Sequence, residues 1–242
     1  MSLPKASAYC ATYGRPWALE ESIESFLRQD YAGEKELVIL NDLADNTLIF
    51  NHPQVKIVNV KDHIIPLGKK FNDTVALCTG DVLFPWEDDD VFLPNKIRYS
   101  IEHMKNGFFH TGFALYEVDD QKLVYTGNHF HCNMCVSKEL WDKVGRYTEI
   151  DNCTLDVELM GRLKQEAAWV GHDISNLDVF YIYRWKTSGS YHTSGWGTQN
   201  TLKVSENAEK ILSDRDKVGE YILRPNWKYD YAEAAKKALA SI

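Results

Sequence analysis

The sequence predicts an α/β protein with a mostly parallel central sheet, flanking helices and a smaller antiparallel sheet. In its first part, apolar strand patterns alternate with amphipathic helix patterns, which is the order of a parallel sheet with helical crossovers. After residue 107 a hairpin pattern replaces that order. Between the two, an apolar run at residues 82–86 ends in four consecutive acids, residues 87–90. In open α/β sheets this end of a strand is where ligands bind.

Composition limits the classes of function. The chain has 242 residues, of which 44% are hydrophobic and 26% charged, which is typical of a globular protein with one large core. A net charge of −8 argues against general nucleic-acid binding. No apolar run approaches the length of a membrane span, and no signal peptide pattern opens the chain. Five cysteines without framework spacing indicate reduced thiols, so we expect a cytoplasmic protein.

The elements of the first part follow from their patterns in order. Strands are expected at residues 7–13, 36–42, 55–60 and 82–86. The first helix has apolar residues at i, i+4, i+7 and i+8, namely Leu19, Ile23, Phe26 and Leu27. A second helix opens at Gly68 and ends near Cys78, and a third runs from Pro94, a residue that suits the first turn, to about Lys105.

The second part is predicted in the same way. Residues 108–117 and 122–125 read as a hairpin, and further strands are expected at 131–136 and 179–183. Helices are expected at 137–144, 154–168, 202–212 and 231–239. Residues 186–201 are rich in Gly, Ser and Thr, which predicts a mobile loop. For the last helix we expect packing on the core, with partner docking or contact with a membrane surface as alternatives.

The acidic run is open to two interpretations. Four adjacent carboxylates repel one another and are tolerated only if solvent, cations or basic groups offset their charge. A solvated acidic turn is the simpler interpretation. The strand before the run and the helix after it favour a divalent-metal site, since hard cations prefer carboxylate oxygens.

Taken together, several motifs resemble the family 2 glycosyltransferases and their Rossmann-like GT-A fold. They are residues 11–16 (ATYGRP), 22–31 (SIESFLRQDY), 37–42 (LVILND), 68–72 and 80–81, and the acidic run ending in Leu93-Pro94. The resemblance covers about residues 5–190. It implies one domain, residues 1–225, with a nucleotide-binding half to about 106 and an acceptor half at 107–200. A helical extension would follow at 226–242.

The resemblance implies an inverting transfer of a sugar from a nucleotide-sugar donor, with UDP as the expected nucleotide, to a carbohydrate or other acceptor hydroxyl. Mn²⁺ or Mg²⁺ would stabilise the leaving diphosphate. The metal motif fits Glu87-x-Asp89 better than Asp88-x-Asp90. Asp89 would be the main ligand, with Asp90 beside it, and Glu87 would lie near the ribose with Asp88 on the donor side. Glu87 departs from the usual Asp.

Further donor contacts are implied at the ends of the first two strands and at the second helix. Each has a simpler alternative: a half-buried strand end, an acidic turn former, or solvated lysines. The implied base-binding residues are Ala11, Thr12, Tyr13 and Asp42, and the implied phosphate- or base-binding residues are Arg15, Lys69 and Lys70.

The implied general base is Asp156, at the start of a later helix. Leu155 stands where the family has Glu, so a helix-capping role for Asp156 is the alternative. Glu158 is the reserve candidate and Asp151 a weaker one.

After the last core strand, Arg184 and Lys186 are candidates to offset diphosphate charge. Lys186 replaces a His that is usual there, and His192 is a candidate to serve in its place near the metal. The surrounding loop would suit a lid over the donor.

A competing site consists of His129, His131, Cys132 and Cys135, whose types and spacing suit zinc. Alternation along a strand at 131–136 would point these side chains to opposite faces, so only a subset could converge. By resemblance this strand borders the acceptor pocket, so His129, His131 and Asn133 are candidates to contact the acceptor.

Two rival functions remain. A nucleotidyltransferase would also use a Rossmann-like sheet with acidic metal ligands, but residues 11–16 lack its Gly-rich basic loop. A nucleotide-sugar-binding module without turnover is the non-enzymatic rival, and Leu155 and Lys186 are the departures that favour it.

Overall fold

A six-stranded sheet is the centre of the computed structural model, which describes residues 2–119, 122–151, 154–172, 175, 178–184 and 219–240. The strands are β1 (Ala6–Thr12), β2 (Lys35–Asn41), β3 (Thr47–Ile49), β4 (Val55–Asn59), β5 (Val82–Pro85), β6 (Val91–Phe92), β7 (Phe108–His110), β8 (Ala114–Asp119), β9 (Lys122–Thr126), β10 (Met134–Ser137), β11 (Tyr181–Arg184) and β12 (Glu220–Ile222). The helices are α1 (Pro16–Leu27), α2 (Leu67–Ala76), α3 (Lys96–Glu102), α4 (Lys138–Val144), α5 (Leu155–Glu166) and α6 (Tyr231–Leu239).

The central sheet has the strand order β4–β2–β1–β5–β10–β7. The first four of these strands are parallel, β10 runs antiparallel to β5, and β7 runs antiparallel to β10. The predicted mostly parallel sheet with flanking helices is therefore confirmed. The crossovers through α1 and α2 bring the carboxyl ends of the parallel strands to one edge.

Two hydrophobic cores lie on opposite faces of this sheet because successive side chains of a strand point to opposite faces. On one face, Ala8 and Cys10 of β1 pack into a core that includes the α1 residues Ile23 and Phe26. On the other, Tyr9 joins a core formed largely by α2, α4 and α5. Burial on both faces explains why the strands inside the sheet, such as β2 and β5, read as nearly continuous apolar runs, whereas the edge strand β4 does not.

The smaller sheet has the order β6–β11–β8–β9 and begins directly after the acidic run. The predicted hairpin is present as β8 and β9. The sheet is mixed rather than wholly antiparallel because β11 runs parallel to β8. A third, two-stranded sheet pairs β3 with β12, two short strands that the sequence patterns did not reveal.

Three predicted boundaries are wrong. Residues 108–117 are not one strand, since β7 joins the central sheet and β8 the smaller one. The expected strand at 131–136 begins with a 3₁₀ turn, His131–Asn133, and only then becomes β10. Helix α3 begins at Lys96 instead of Pro94 because the Pro94 carbonyl accepts a hydrogen bond from Asp30 N (2.9 Å) beside β6.

The C-terminal segment, residues 219–240, packs on the rest of the fold. Helix α6 begins after Asp230, whose side chain accepts a hydrogen bond from Glu233 N, and buries Tyr231, Ala235 and Leu239. Packing on the core, the expected role of this helix, is what the structure shows. The predicted loop at 186–201 and helix at 202–212 lie outside the described residues. No helix in the described parts of the chain has the length and apolar character needed to cross a bilayer.

Candidate active site

The candidate site lies where β1, β2 and β5 end side by side. Strand β1 lies between the other two, so Tyr13, Asp42 and the acidic run leave the sheet at the same edge. This is the position at which open α/β sheets bind ligands. The sequence-predicted donor residues at the three strand ends are therefore brought together.

The acidic run is buried, and the solvated-turn interpretation is wrong. Asp88 is 0% exposed and Asp89 is 5% exposed. The Arg15 guanidinium donates to both, at 2.5 Å from Nη2 to Asp88 Oδ1 and 2.6 Å from Nη1 to Asp89 Oδ2. Thr12 Oγ1 donates to Asp88 Oδ2 at 2.6 Å. A basic group from the β1–α1 turn thus offsets the repulsion within the run.

Burial disfavours the charged form of these acids. It raises the pKa of Asp88 to about 6, although Arg15 opposes the shift. It also raises the pKa of Asp90, whose two oxygens accept hydrogen bonds from Tyr181 Oη (2.5 Å) and Arg184 N (3.0 Å). Asp90, a predicted metal residue, is therefore held by β11 within the protein.

Arg184 is buried against the backbone of the acidic run and does not face solvent. Its side chain is 1% exposed, and its Nη1 donates to the buried Glu21 Oε2 at 2.6 Å. Its Nε donates to the Asp89 carbonyl at 2.5 Å. Tyr231 Oη donates to the other Glu21 oxygen at 2.9 Å. The structure thus places Arg184, a predicted diphosphate residue, in a buried ion pair with Glu21, from which it also binds the backbone of the acidic run.

Asp42 is fully buried and already has several protein donors. Its Oδ1 accepts from Lys70 Nζ at 2.5 Å, and its Oδ2 accepts from Ile64 N at 2.8 Å and lies 2.9 Å from His63 Nδ1. Lys70 also donates to the Thr12 carbonyl at 2.8 Å, and burial lowers its pKa. The solvated-surface interpretation is therefore wrong for Lys70.

Lys69 behaves differently from its neighbour. Its side chain is exposed and forms an i,i+4 pair with Asp73 at 2.5 Å. Its location in the first turn of α2 still leaves it at the edge where the strands end.

His63 is a site residue that the sequence reasoning missed. Its ring faces Tyr13, with ring centroids 4.2 Å apart and an interplanar angle of 30°. Asp42 favours a proton on Nδ1, which makes Nε2 the acceptor of the neutral ring. Within the described residues, Nε2 is buried and has no hydrogen-bond partner. The available signal was its place in the loop after β4, another parallel strand ending at this edge.

A second cluster joins the acidic run to the turn before β10. Ligand atoms of Glu87, His131 and Cys132 all lie within 4.8 Å of one another. Of the four residues in the predicted zinc site, only His131 and Cys132 take part among the described residues. His129 packs against His110 and Trp169, and Cys135 is buried in the core. The prediction that only a subset of the four could converge agrees with the structure. Its premise of a strand is wrong, because residues 131–133 form a 3₁₀ turn, and this turn lets two consecutive residues approach together.

The predicted general base lies in the first turn of α5. Asp156 is half-buried, and its Oδ1 accepts a hydrogen bond from Val157 N at 2.7 Å. Glu158, the reserve, pairs with Arg162 at 2.6 Å, which lowers its pKa. Asp151 is half-buried in the segment before α5. Lys186 and His192 lie outside the described residues.

Comparisons with known proteins agree with this architecture. The profile of the family described as "Glycosyl transferase family 2" matches residues 7–160. No curated protein sequence matches the chain.

Among solved structures, the mannosyltransferase PcManGT from Pyrobaculum calidifontis, in complex with GDP-Man and Mn²⁺, is 12% identical with a TM-score of 0.56. That alignment covers 98% of this chain and 68% of PcManGT. S. aureus TarS 1–349 is 13% identical with a TM-score of 0.52, and the alignment covers 74% of this chain and 60% of that one. The same TarS fragment in complex with UDP has a TM-score of 0.53 at 13% identity, covering 98% and 70%. At such identities the similarity shows the fold alone.

Proposed function

The chain belongs to glycosyl transferase family 2, and on that premise we propose that it transfers a sugar from a nucleotide-sugar donor to an acceptor hydroxyl with inversion and with the help of a divalent cation. One observation carries the proposal: the buried Asp42, the Arg15 side chain and the acidic run all lie at one edge of the parallel sheet. A strand end that can hold a base and a cation-binding run at the same edge suit a nucleotide diphosphate.

The base of the donor is proposed to lie against Tyr13 and His63. Because protein donors already surround Asp42, we assign to it the role of fixing His63 and Lys70, and His63 Nε2 then accepts a hydrogen bond from an N–H of the base. Ala11 and Thr12 would line the same strand end. UDP is the proposed nucleotide, and the S. aureus TarS fragment crystallised with UDP supports this choice.

The cation is proposed to bind at Asp89, with Glu87 on the ribose side. Asp89 fits a hard cation because it is a carboxylate and, unlike the Asp88 side chain, it reaches the surface, with 7% of its side chain exposed. Glu87 beside it is 28% exposed and open to the donor. Mn²⁺ or Mg²⁺ there would supply Lewis-acid stabilisation of the leaving diphosphate. Arg15 pairs with Asp89, so a bound cation would share or replace that contact.

The other predicted donor residues divide into two groups. Arg15 and Lys69 are proposed to face the phosphates, the first from the β1–α1 turn and the second from the start of α2. Asp88, Asp90, Lys70 and Arg184 are proposed to act as buried supports for the residues that bind.

For the transfer step, we propose that the Asp156 carboxylate accepts the proton of the acceptor hydroxyl. The hydroxyl oxygen then forms a bond to the anomeric carbon while the bond to the diphosphate breaks, which inverts the configuration. Glu158 is engaged with Arg162 and remains the reserve.

A binding module without turnover is the second candidate, because Leu155 is 3% exposed in the core where the family has a Glu. Such a protein would bind the donor and leave it intact.

Calorimetric titration with a panel of nucleoside diphosphates, with and without Mn²⁺, tests the proposal. We expect UDP to bind wild type only with Mn²⁺, and Asp89→Asn to abolish this binding. Asp142→Asn, on the exposed face of α4, is the control. Metal-independent binding, or no binding of any nucleotide, would refute the cation assignment. Slow hydrolysis of the donor that Asp156→Asn removes would distinguish the enzyme from the binding module.

A further inference from the structure

We propose that Glu87, His131 and Cys132 form a binding site for a thiophilic divalent ion of the Zn²⁺ type, separate from the cation site assigned to Asp89. The three side chains offer one oxygen, one nitrogen and one sulfur, with ligand atoms within 4.8 Å of one another. A mixed set of this kind suits zinc, whereas Mg²⁺ and Mn²⁺ prefer oxygen.

The sheet register explains why these residues meet. Strand β10 pairs antiparallel with β5, with Val136 opposite Leu83. Beyond the ends of the two strands, this pairing brings the turn before β10 alongside the acidic run after β5, where Cys132 and Glu87 come within reach of each other. The 3₁₀ turn then lets the consecutive residues His131 and Cys132 both approach the Glu87 carboxylate, which an extended strand would prevent.

The turn is held in place from two sides. His131 Nε2 lies 2.5 Å from Tyr147 Oη, which in turn lies 2.7 Å from Tyr9 Oη. Lys96 Nζ donates to the Cys132 carbonyl. Metal-binding histidines usually have their second ring nitrogen fixed by such a hydrogen bond. The ring and the backbone are therefore already arranged for a ligand on the Nδ1 side.

The hydrogen-bond chain also allows a ring nitrogen to face the carboxylate as a ligand. His131 Nδ1 lies 3.4 Å from Glu87 Oε1, where the two atoms can share a proton or a metal ion. When Nε2–H donates to Tyr147, the Nδ1 lone pair is available to the metal ion and the carboxylate is its second ligand.

The charges balance when zinc binds. Cys132 loses its thiol proton to solvent as the sulfur–zinc bond forms, so thiolate, carboxylate and Zn²⁺ sum to zero with a neutral imidazole. A neutral set is compatible with the burial of His131 and Cys132, which are 7% and 1% exposed. Glu87 is on the open side, which leaves a fourth coordination position for water.

One consequence rests on the proposed function. Glu87 would serve both zinc and the donor, so zinc and the nucleotide-sugar would compete. Zinc binding itself needs no donor and is tested without one.

The test uses Co²⁺ and Zn²⁺ on the purified chain in the absence of nucleotide. We expect a thiolate-to-cobalt charge-transfer band from one Co²⁺ per chain, displaced by one equivalent of Zn²⁺, whereas Co²⁺ at the oxygen ligands of Asp89 would give no such band. Calorimetry in buffers of different ionisation enthalpy should show release of one proton. Cys132→Ser should remove the band and weaken Zn²⁺ binding at least tenfold, while Cys78→Ser, at a half-buried thiol in another part of the fold, should retain both.

A band that persists in Cys132→Ser, or wild-type Zn²⁺ binding no tighter than that of the variant, would overturn the proposal. If Cys132→Ser does not fold, Glu87→Gln carries the test through its loss of Zn²⁺ affinity. Asp89→Asn should retain Zn²⁺ binding. Zinc binding without any nucleotide binding would refute the proposed function alone. Nucleotide binding without zinc binding would refute the zinc site alone.

Discussion

Replacement of Arg15 by Gln should expose how much the buried acids depend on one guanidinium. Arg15 makes two charge-assisted hydrogen bonds, to Asp88 and Asp89, whose side chains are 0% and 7% exposed. Removal of one partner from a buried ion pair costs about 3–5 kcal/mol because the remaining charge is left uncompensated. Thr12 still donates to Asp88, so we place the expected loss near the lower limit, at about 3 kcal/mol.

For a chain of this size, each kcal/mol lowers the Tm by about 2–4 °C, so the variant should melt about 6–12 °C below wild type. Urea unfolding in the presence of a chelator, followed by tryptophan fluorescence and circular dichroism, gives the free energy of unfolding. Arg98→Gln is the matched control, since Arg98 pairs with Asp30 and Glu102 at an exposed site and should cost less than about 1 kcal/mol.

Equal losses in the two variants would refute the reasoning, because burial would then not distinguish the two ion pairs. Mn²⁺ provides a second comparison. If a cation can take the place of the guanidinium, Mn²⁺ should raise the Tm of Arg15→Gln more than that of wild type. An equal rise would show that the cation and Arg15 do not share a position.

Three further predictions test other parts of the structure. Glu21→Met or Arg184→Met alone should cost about 3–5 kcal/mol in urea unfolding, and the double variant less than the sum, whereas additive losses would argue against a buried pair. Burial lowers the pKa of His110 to about 3. As the pH decreases, the unfolded state therefore takes up the proton first, and the free energy of unfolding decreases from about pH 6.5 down to about pH 3. From pH 6.5 to 5 wild type should lose about 1.6 kcal/mol more than His110→Phe, and parallel losses would contradict this assignment. His63→Phe should weaken UDP binding about tenfold by calorimetry while His52→Phe leaves it unchanged, and unchanged affinity in both would remove His63 from the base site.

Local patterns were sufficient for the parallel strands and most helices. The runs that became β1 and β2 are apolar because both faces of the sheet are covered, and Ser137 was recognisable as the residue before α4. The short strands β3, β6 and β12 lacked such a pattern because two or three residues cannot show a period. Their positions depend on partners far away in the chain, as with β12 on β3.

The site was predictable in its location and less so in its internal contacts. Strand ends indicated the edge at which the acidic run lies, and the family resemblance added Tyr13 and Asp42 at the same edge. Which acids have protein partners depends on tertiary contacts, such as Tyr181 with Asp90, that no local pattern encodes. The 3₁₀ turn was mistaken for a strand because its residue types alternate as strand residues do.

The C-terminal segment has a consequence for the order in which the chain folds during synthesis. Gly219 accepts a hydrogen bond from Thr47 N, Trp227 Nε1 donates to Ser25 Oγ, and Tyr231 donates to Glu21. These contacts join elements that leave the ribosome early with elements that leave it much later. The N-terminal strands can pair early. The buried carboxylate of Glu21 gains its hydrogen bonds from Lys228 N and Tyr231 only after those residues, about 200 positions later in the chain, have been synthesised. Completion of the site therefore follows the synthesis of residues 219–240, and a chain interrupted before them would leave β3 without its partner strand β12.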